Sequence, residues 1–261
     1  MLKGFKNIHS VRLNTVLDSD DLCKLEMDPK FRHLIFYNVT FNYKCKGRMR
    51  FYRGTSSLLN FSTLTIVSTS NVDKWPFNVM LFNHVHIEKS SFTETTLARN
   101  VASNFLHSGS ETLTIKGCGL ENIEGELFDL ASNLKMLNLE ETMLKWISGT
   151  TSKVRLNKLW HVNLRGNFLL NPHYFDLMAK FQKELDVRDN RIPKITPDEF
   201  SNFWERLETL HLSGEPYVFT SLNTEPISSL FLQEIRSSAA EIAVFVGWTV
   251  GIQNLWMPSA D

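Results

Sequence analysis

Three cysteines in 261 residues, Cys23, Cys45 and Cys118, with no CxxC pair among them, exclude a zinc ribbon or a thioredoxin-type redox site in its usual form. The odd count also keeps at least one thiol unpaired within a monomer. An excess of one charge is missing too: Lys and Arg number 28, and so do Asp and Glu. A neutral chain has no general electrostatic reason to seek nucleic acid or an anionic membrane. No run of about 18 apolar residues occurs, so no membrane-spanning helix is expected. The nearest stretch, Ile242 to Ile252, is too short. The opening Met1-Leu2-Lys3-Gly4-Phe5-Lys6 is charged and no apolar stretch follows it, so the chain as written is expected to lack a signal peptide. The phosphate loop GxxxxGK(S/T), the GxSxG elbow and the HExxH zinc helix are absent, so neither enzymatic activity nor a cofactor is expected. Gly117-Cys118-Gly119 begins like a glycine-rich loop but lacks the third glycine and reads as a turn.

What is present is an ordinary globular mix, 43% apolar and 21% charged, which excludes global disorder. Within it a short motif recurs. Leu134-Lys135-Met136-Leu137-Asn138-Leu139, Leu159-Trp160-His161-Val162-Asn163-Leu164, Leu185-Asp186-Val187 and Leu207-Glu208-Thr209-Leu210-His211-Leu212 share the pattern LxxLxL. Three positions beyond each copy stands a polar or small residue: Thr142, Asn167, Asn190 and Glu215. An aliphatic residue often follows two further on, at Leu144, Leu169 and Ile192. Leu113-Thr114-Ile115 opens a further copy, with Cys118 and Leu120 in the matching places. The central apolar position falls at residues 113, 137, 162, 185 and 210, so the intervals are 24, 25, 23 and 25. Val11-Arg12-Leu13, Leu34-Ile35-Phe36, Leu64-Thr65-Ile66 and Val85-His86-Ile87 read as irregular copies, spaced 23, 30 and 21 residues apart and 28 from the copy at Leu113.

A period of this length is the mark of a solenoid. The pattern resembles the leucine-rich repeat family, in which Cys, Thr and Asn are all tolerated at the ninth place. Ile123 and Phe128 fit the fourteenth and nineteenth places of one repeat, and Ile195, Phe200 and Phe203 fit later places of another. Ile195-Thr196-Pro197-Asp198-Glu199-Phe200 is similar to the LPxxxF signature of extracellular repeats. One repeat departs: Pro172 replaces an aliphatic residue, leaving Tyr174, Phe175 and Leu177 to fill the convex side. The resemblance implies an α/β horseshoe with a parallel concave sheet and an irregular convex side. About nine repeats span residues 1–217, five of them regular from residue 110 onward. Residues 218–261 are expected to be a C-terminal cap or divergent tail. There Leu230, Phe231, Ile235 and Ile242 fit a helical apolar face, unless the terminus is truncated. Gly214-Glu215-Pro216-Tyr217 stands where extracellular members carry a GNPW-like turn, and no cysteine cap follows.

The alternation of strand side chains places the expected ligand site. Residues between the core leucines project from the concave face: Asn138, Glu140, Asn163, Arg165, Asp186, Arg188 and His211. Both charge signs interleave there, which suits a protein or glycan ligand better than nucleic acid. The plain alternative is that these charges only pair across coils. His84 and His86, with Glu88 on the same face, offer two zinc ligands but no completed set, so no metal is expected. Cys23 and Cys45 follow Val11 and Leu34 by 12 and 11 residues, near-equivalent places on adjacent coils, where a disulfide would fit. Two buried thiols are the alternative. Asn38-Val39-Thr40 and Asn60-Phe61-Ser62 are glycosylation sequons, about as many as chance supplies. Ectodomains of Toll-like receptors and arthropod immune or adhesion repeat proteins are similar in period and phenylalanine placement. That resemblance implies extracellular recognition, with the chain incomplete at its start. An intracellular repeat adaptor, such as a substrate-recognition subunit, is the alternative.

Overall fold

The structure, a computed structural model, describes residues 10–13, 32–41, 60–75, 81–148, 156, 158–170, 183–192, 208–213, 229–233 and 254–256. Eleven strands form one sheet, every neighbouring pair parallel and taken in chain order. They are β1 (Ser10–Leu13), β2 (His33–Tyr37), β3 (Asn60–Val67), β4 (Leu81–Glu88), β6 (Thr112–Lys116), β8 (Met136–Asn138), β10 (His161–Asn163), β11 (Glu184–Asp186), β12 (Thr209–Ser213), β13 (Ser229–Gln233) and β14 (Asn254–Trp256). A second parallel sheet joins β5 (Thr96–Leu97), β7 (Asn122–Glu124) and β9 (Trp146–Ser148). The molecule is therefore a parallel-sheet solenoid.

The register puts one apolar residue per coil into a single row. Val11, Leu34, Leu64, Val85, Leu113, Leu137, Val162, Leu185 and Leu210 are successive partners. These are the nine central positions of the sequence pattern, the four unevenly spaced ones included. Parallel pairing makes this necessary: a slip of one residue would turn every inward side chain outward. From β2 to β11 the central residue and the one two positions on are at most 1% exposed. A fully buried leucine contributes about 1.5–3 kcal/mol, but only when a neighbouring coil covers it.

Behind this row the chain turns and buries a second layer: Phe41, Leu120, Leu144, Leu169 and Ile192, each seven residues past its central position. A third row, Leu97, Ile123 and Ile147, faces inward from the short sheet. Phe128, at the nineteenth place of its repeat, is buried near the end of a 3-10 stretch, Gly125–Asp129. The N-terminal coils are filled by rings instead. Trp75 is fully buried and meets Phe36, Phe41, Phe82 and Phe105 edge-on, with centroids 5.8, 5.8, 6.5 and 6.3 Å away.

Two expectations change. Among the described residues helix is limited to α1 (Arg99–Ala102) and two 3-10 stretches, Val72–Lys74 and Gly125–Asp129. Among the described residues the return side is thus short strand, 3-10 turn and the single helical turn α1, with none of the regular helix of an α/β horseshoe. A coil of about 24 residues leaves about 15 for two turns and the return, too few for a regular helix at 1.5 Å per residue. The second change concerns residues 218–261. Leu230 and Phe231 lie on strand β13, not on a helix, and Leu210, Leu230 and Leu255 continue the central row. The open edge of β12 offers backbone partners that a helix could not use. Ile235, Ile242, Pro172, Tyr174, Phe175, Leu177, Ile195, Phe200 and Phe203 lie outside the described residues.

Leu139 and Leu164, both fully buried, occupy equivalent places on adjacent coils, following paired β8 and β10. Leu139→Asp is expected to destabilise by about 3 kcal/mol or more, since the carboxylate has no buried partner. Hydrogen exchange should show amides of both flanking coils losing protection together. Loss confined to one coil would refute the stacking.

Candidate functional site

The outward face of the long sheet is shaped by how the chain leaves each strand. Four residues past its central position every described coil from β2 to β11 takes a left-handed residue: Asn38, Ser68, Lys89, Gly117, Glu141, Gly166 and Asp189, with φ between 48° and 70°. Only two are glycine. The others hold a conformation that costs an L-residue about 1–2 kcal/mol, less for Asn and Asp. The turn is therefore imposed by the coil geometry and not by local sequence. At Gly166 a Cβ would also lie 3.0 Å from Cγ of Glu141 on the preceding coil.

The next residue turns inward and is polar in most coils: Thr69, Ser90, Cys118, Thr142, Asn167 and Asn190. These form a hydrogen-bonded spine. The Asn167 amide nitrogen donates to the carbonyls of Leu164 at 2.8 Å and of Leu139, one coil back, at 2.7 Å. Its Oδ1 accepts from the Thr142 hydroxyl at 2.9 Å and from the Thr142 and Leu144 amides at 3.1 and 2.8 Å. Asn190 repeats the scheme on Leu164, Val187 and the Leu169 amide. Cys118 donates weakly to the Lys116 carbonyl, and burial pushes its thiol up to about 11, which keeps it protonated as a donor. Ser90 Oγ donates to Glu88 O and accepts from Thr69 N. Thr69 and Ser90 were not singled out in the sequence, although the same five-residue offset from Leu64 and Val85 points to them.

Three expected ligand residues also have backbone work. The Oδ1 atoms of Asn138, Asn163 and Asp186 accept the amides of Glu140, Arg165 and Arg188 at 3.0, 3.0 and 3.1 Å. These Asx turns start the strand exit. Glu140, Arg165 and Arg188 lie in one row, and each is paired. Lys116 Nζ lies 2.9 Å from Glu140, Arg165 Nε lies 2.8 Å from Asp189 across coils, and Arg188 grips the Asp186 carboxylate beside it. Asp186 is buried. His211 and His161 flank Glu184, with the nearest nitrogens 3.6 and 2.8 Å from its oxygens. His84 bonds the Thr112 hydroxyl and His86 lies 3.3 Å from Glu88. Among the described residues no group of three His, Cys, Asp or Glu is placed to hold a metal.

The chain matches no protein-family model and no curated protein sequence. No helix among the described residues is long and apolar enough to cross a membrane. Cys118 is a free, buried thiol, while Cys23 and Cys45 lie outside the described residues. Asn38 is exposed in its left-handed turn, and Asn60 opens β3.

Apolar side chains also stand on this surface: Ile35 and Val67 are half-buried, while Tyr37, Met136 and Trp160 are exposed. Trp160 sits on the rim where chains enter the long sheet. A backbone ladder runs along that rim: Lys135 donates to Glu111, Trp160 to Lys135, Lys183 to Trp160 and Glu208 to Lys183, at 2.8–3.0 Å. No periodicity argument reaches Trp160, because its place in the four nearest coils is filled by the charged Glu111, Lys135, Lys183 and Glu208.

Two outcomes follow. Asn167→Ala leaves buried amides and carbonyls on two coils unpaired and should cost about 3 kcal/mol or more in urea denaturation. A loss below about 1 kcal/mol would mean that water replaces the amide. The second concerns acid. Burial pushes the His211 imidazole below its ordinary 6.5, outweighing the carboxylates of Asp186 and Glu184. The unfolded chain then binds the proton more readily, so this contribution to stability is complete above about pH 6.5 and falls as pH drops through it. His211→Gln should flatten Tm against pH below about 6.5. An unchanged slope would assign the acid sensitivity elsewhere.

Proposed function

We propose that this chain is a leucine-rich repeat recognition module, without enzymatic activity, which binds a protein or glycan ligand on the outward face of its long sheet. The observation that carries this reading is the register. Eleven strands align one side chain per row, so that face is a continuous array of stacked polar and apolar groups on one hydrogen-bonded sheet. The hydrogen-bonded spine of buried Thr142 and Asn167 and half-buried Asn190, at the ninth place of the repeat pattern, supports the family reading. The buried Phe128 supports the extracellular type, and with it a role in recognition or innate immunity.

The internal pairing of Arg165 and Arg188 shifts the expected contacts away from them. Charge reversal there would break pairs with Asp189 and Asp186, so a loss of binding would not be separable from a loss of fold. Thr65 and Thr114 serve better, being half-buried outward residues of β3 and β6. The joint Thr65→Arg and Thr114→Arg variant should weaken any partner recovered with the purified chain at least about tenfold, or about 1.4 kcal/mol. Glu94→Arg with Glu126→Arg, on the return side, should not. The reverse result would move the site off the sheet face.

A further inference from the structure

The rim around Trp160 combines an apolar centre with cations that retain hydrogen-bonding capacity. Trp160 is 41% exposed and Met136, the register partner of His161, is 36% exposed. The Trp160 ring stands 5.7 Å from the His161 ring. Along the rim the order is Glu111, Lys135, Trp160, Lys183, Glu208, fixed by the backbone ladder. Lys135 pairs with Glu111 at 3.0 Å and Lys183 with Glu208 at 2.6 Å, each pair on the side away from Trp160. Lys158, two residues before Trp160, is exposed, and its charge reaches Glu111 at the end of the row. An ammonium has three donors, so one glutamate apiece leaves Lys135 and Lys183 able to accept a further carboxylate.

We propose that this rim patch docks a peptide segment of a protein partner that presents an apolar side chain between carboxylates. The proposal rests on the recognition reading above and names the partner's chemistry. The apolar side chain covers Trp160 and Met136, and its flanking carboxylates meet Lys135, Lys158 and Lys183. An exposed tryptophan ringed by polar groups is the usual composition of an interface hot spot. A sugar ring stacked on Trp160 would need carboxylate and amide acceptors beside it, but Glu111 and Glu208 are bound by lysines and Glu184 by His161. A nucleic-acid backbone would run into Glu111 and Glu208 at the two ends of the row.

The test uses the isotope-labelled full chain and three probes followed by NMR: a capped peptide with one tryptophan between glutamates, its lysine counterpart, and a neutral malto-oligosaccharide. The glutamate peptide should shift the Trp160 indole N–H, identified by its absence in Trp160→Phe. Trp160→Ala should weaken that peptide at least about tenfold. Because Lys158 is exposed, Lys158→Glu will fold, and it should weaken the glutamate peptide while strengthening the lysine one. The proposal is overturned if the lysine peptide or the oligosaccharide moves Trp160 more than the glutamate peptide does. It is also overturned if no probe moves it at the solubility limit, or if Lys158→Glu leaves both peptides unchanged. These results leave the sheet-face reading intact, which stands or falls with the Thr65 and Thr114 pair.

Discussion

Each coil must leave the long sheet within four residues of its buried centre, and the carbonyls released by that turn face a dry interior. This requirement governs the rest of the structure. Leu139, Leu164 and Val187 all present carbonyls there, and a side chain from the same or the next coil donates to each of them. An unpaired buried carbonyl costs about 1–3 kcal/mol, so one missing donor per coil would approach the stability of a whole domain. Asparagine suits the task best because it donates and accepts at once and so ties two coils together. Threonine, serine and cysteine hold the spine with fewer bonds.

The same turn decides what the outward face can do. To start it, Asn138, Asn163 and Asp186 bend their side chains back to the amide two residues on. Side chains that alternation alone assigns to a ligand are thereby engaged by the backbone. The charges in the next row are neutralised in turn, Glu140 by Lys116 one coil back, Arg165 by Asp189 one coil on and Arg188 by Asp186 on its own strand. The groups left over for a partner stand at the edges of this network, where Trp160, Met136 and Lys158 are exposed.

The two ends of the described chain reach the same architecture by different fillings. From β6 to β11 near-equal coil lengths let leucine cover leucine, and the described interior is aliphatic apart from Phe128. Between Leu34 and Leu113 the intervals are 30, 21 and 28, and Trp75 with Phe36, Phe41, Phe82 and Phe105 fills the interior. Aromatic volume absorbs irregular spacing because a ring can satisfy several neighbours edge-on where an aliphatic chain would leave a void.

The sequence alone determined the coil count through Leu210 and the row in which each central residue sits. A buried position recurring every 21 to 30 residues has one parallel stacking that covers it. It also placed Thr142, Asn167 and Asn190 at the strand exit. It missed β13 and β14, because Ser229-Leu230-Phe231-Leu232-Gln233 fits a helical face as well as a strand until β12 supplies an edge. Only the tertiary structure decided which outward side chains are already engaged. Arg165 meets Asp189 from the next coil, 24 positions away, and Glu184 lies between histidines on two different strands. Such distances depend on how far each coil is offset from its neighbour, and no pattern within one coil carries that information.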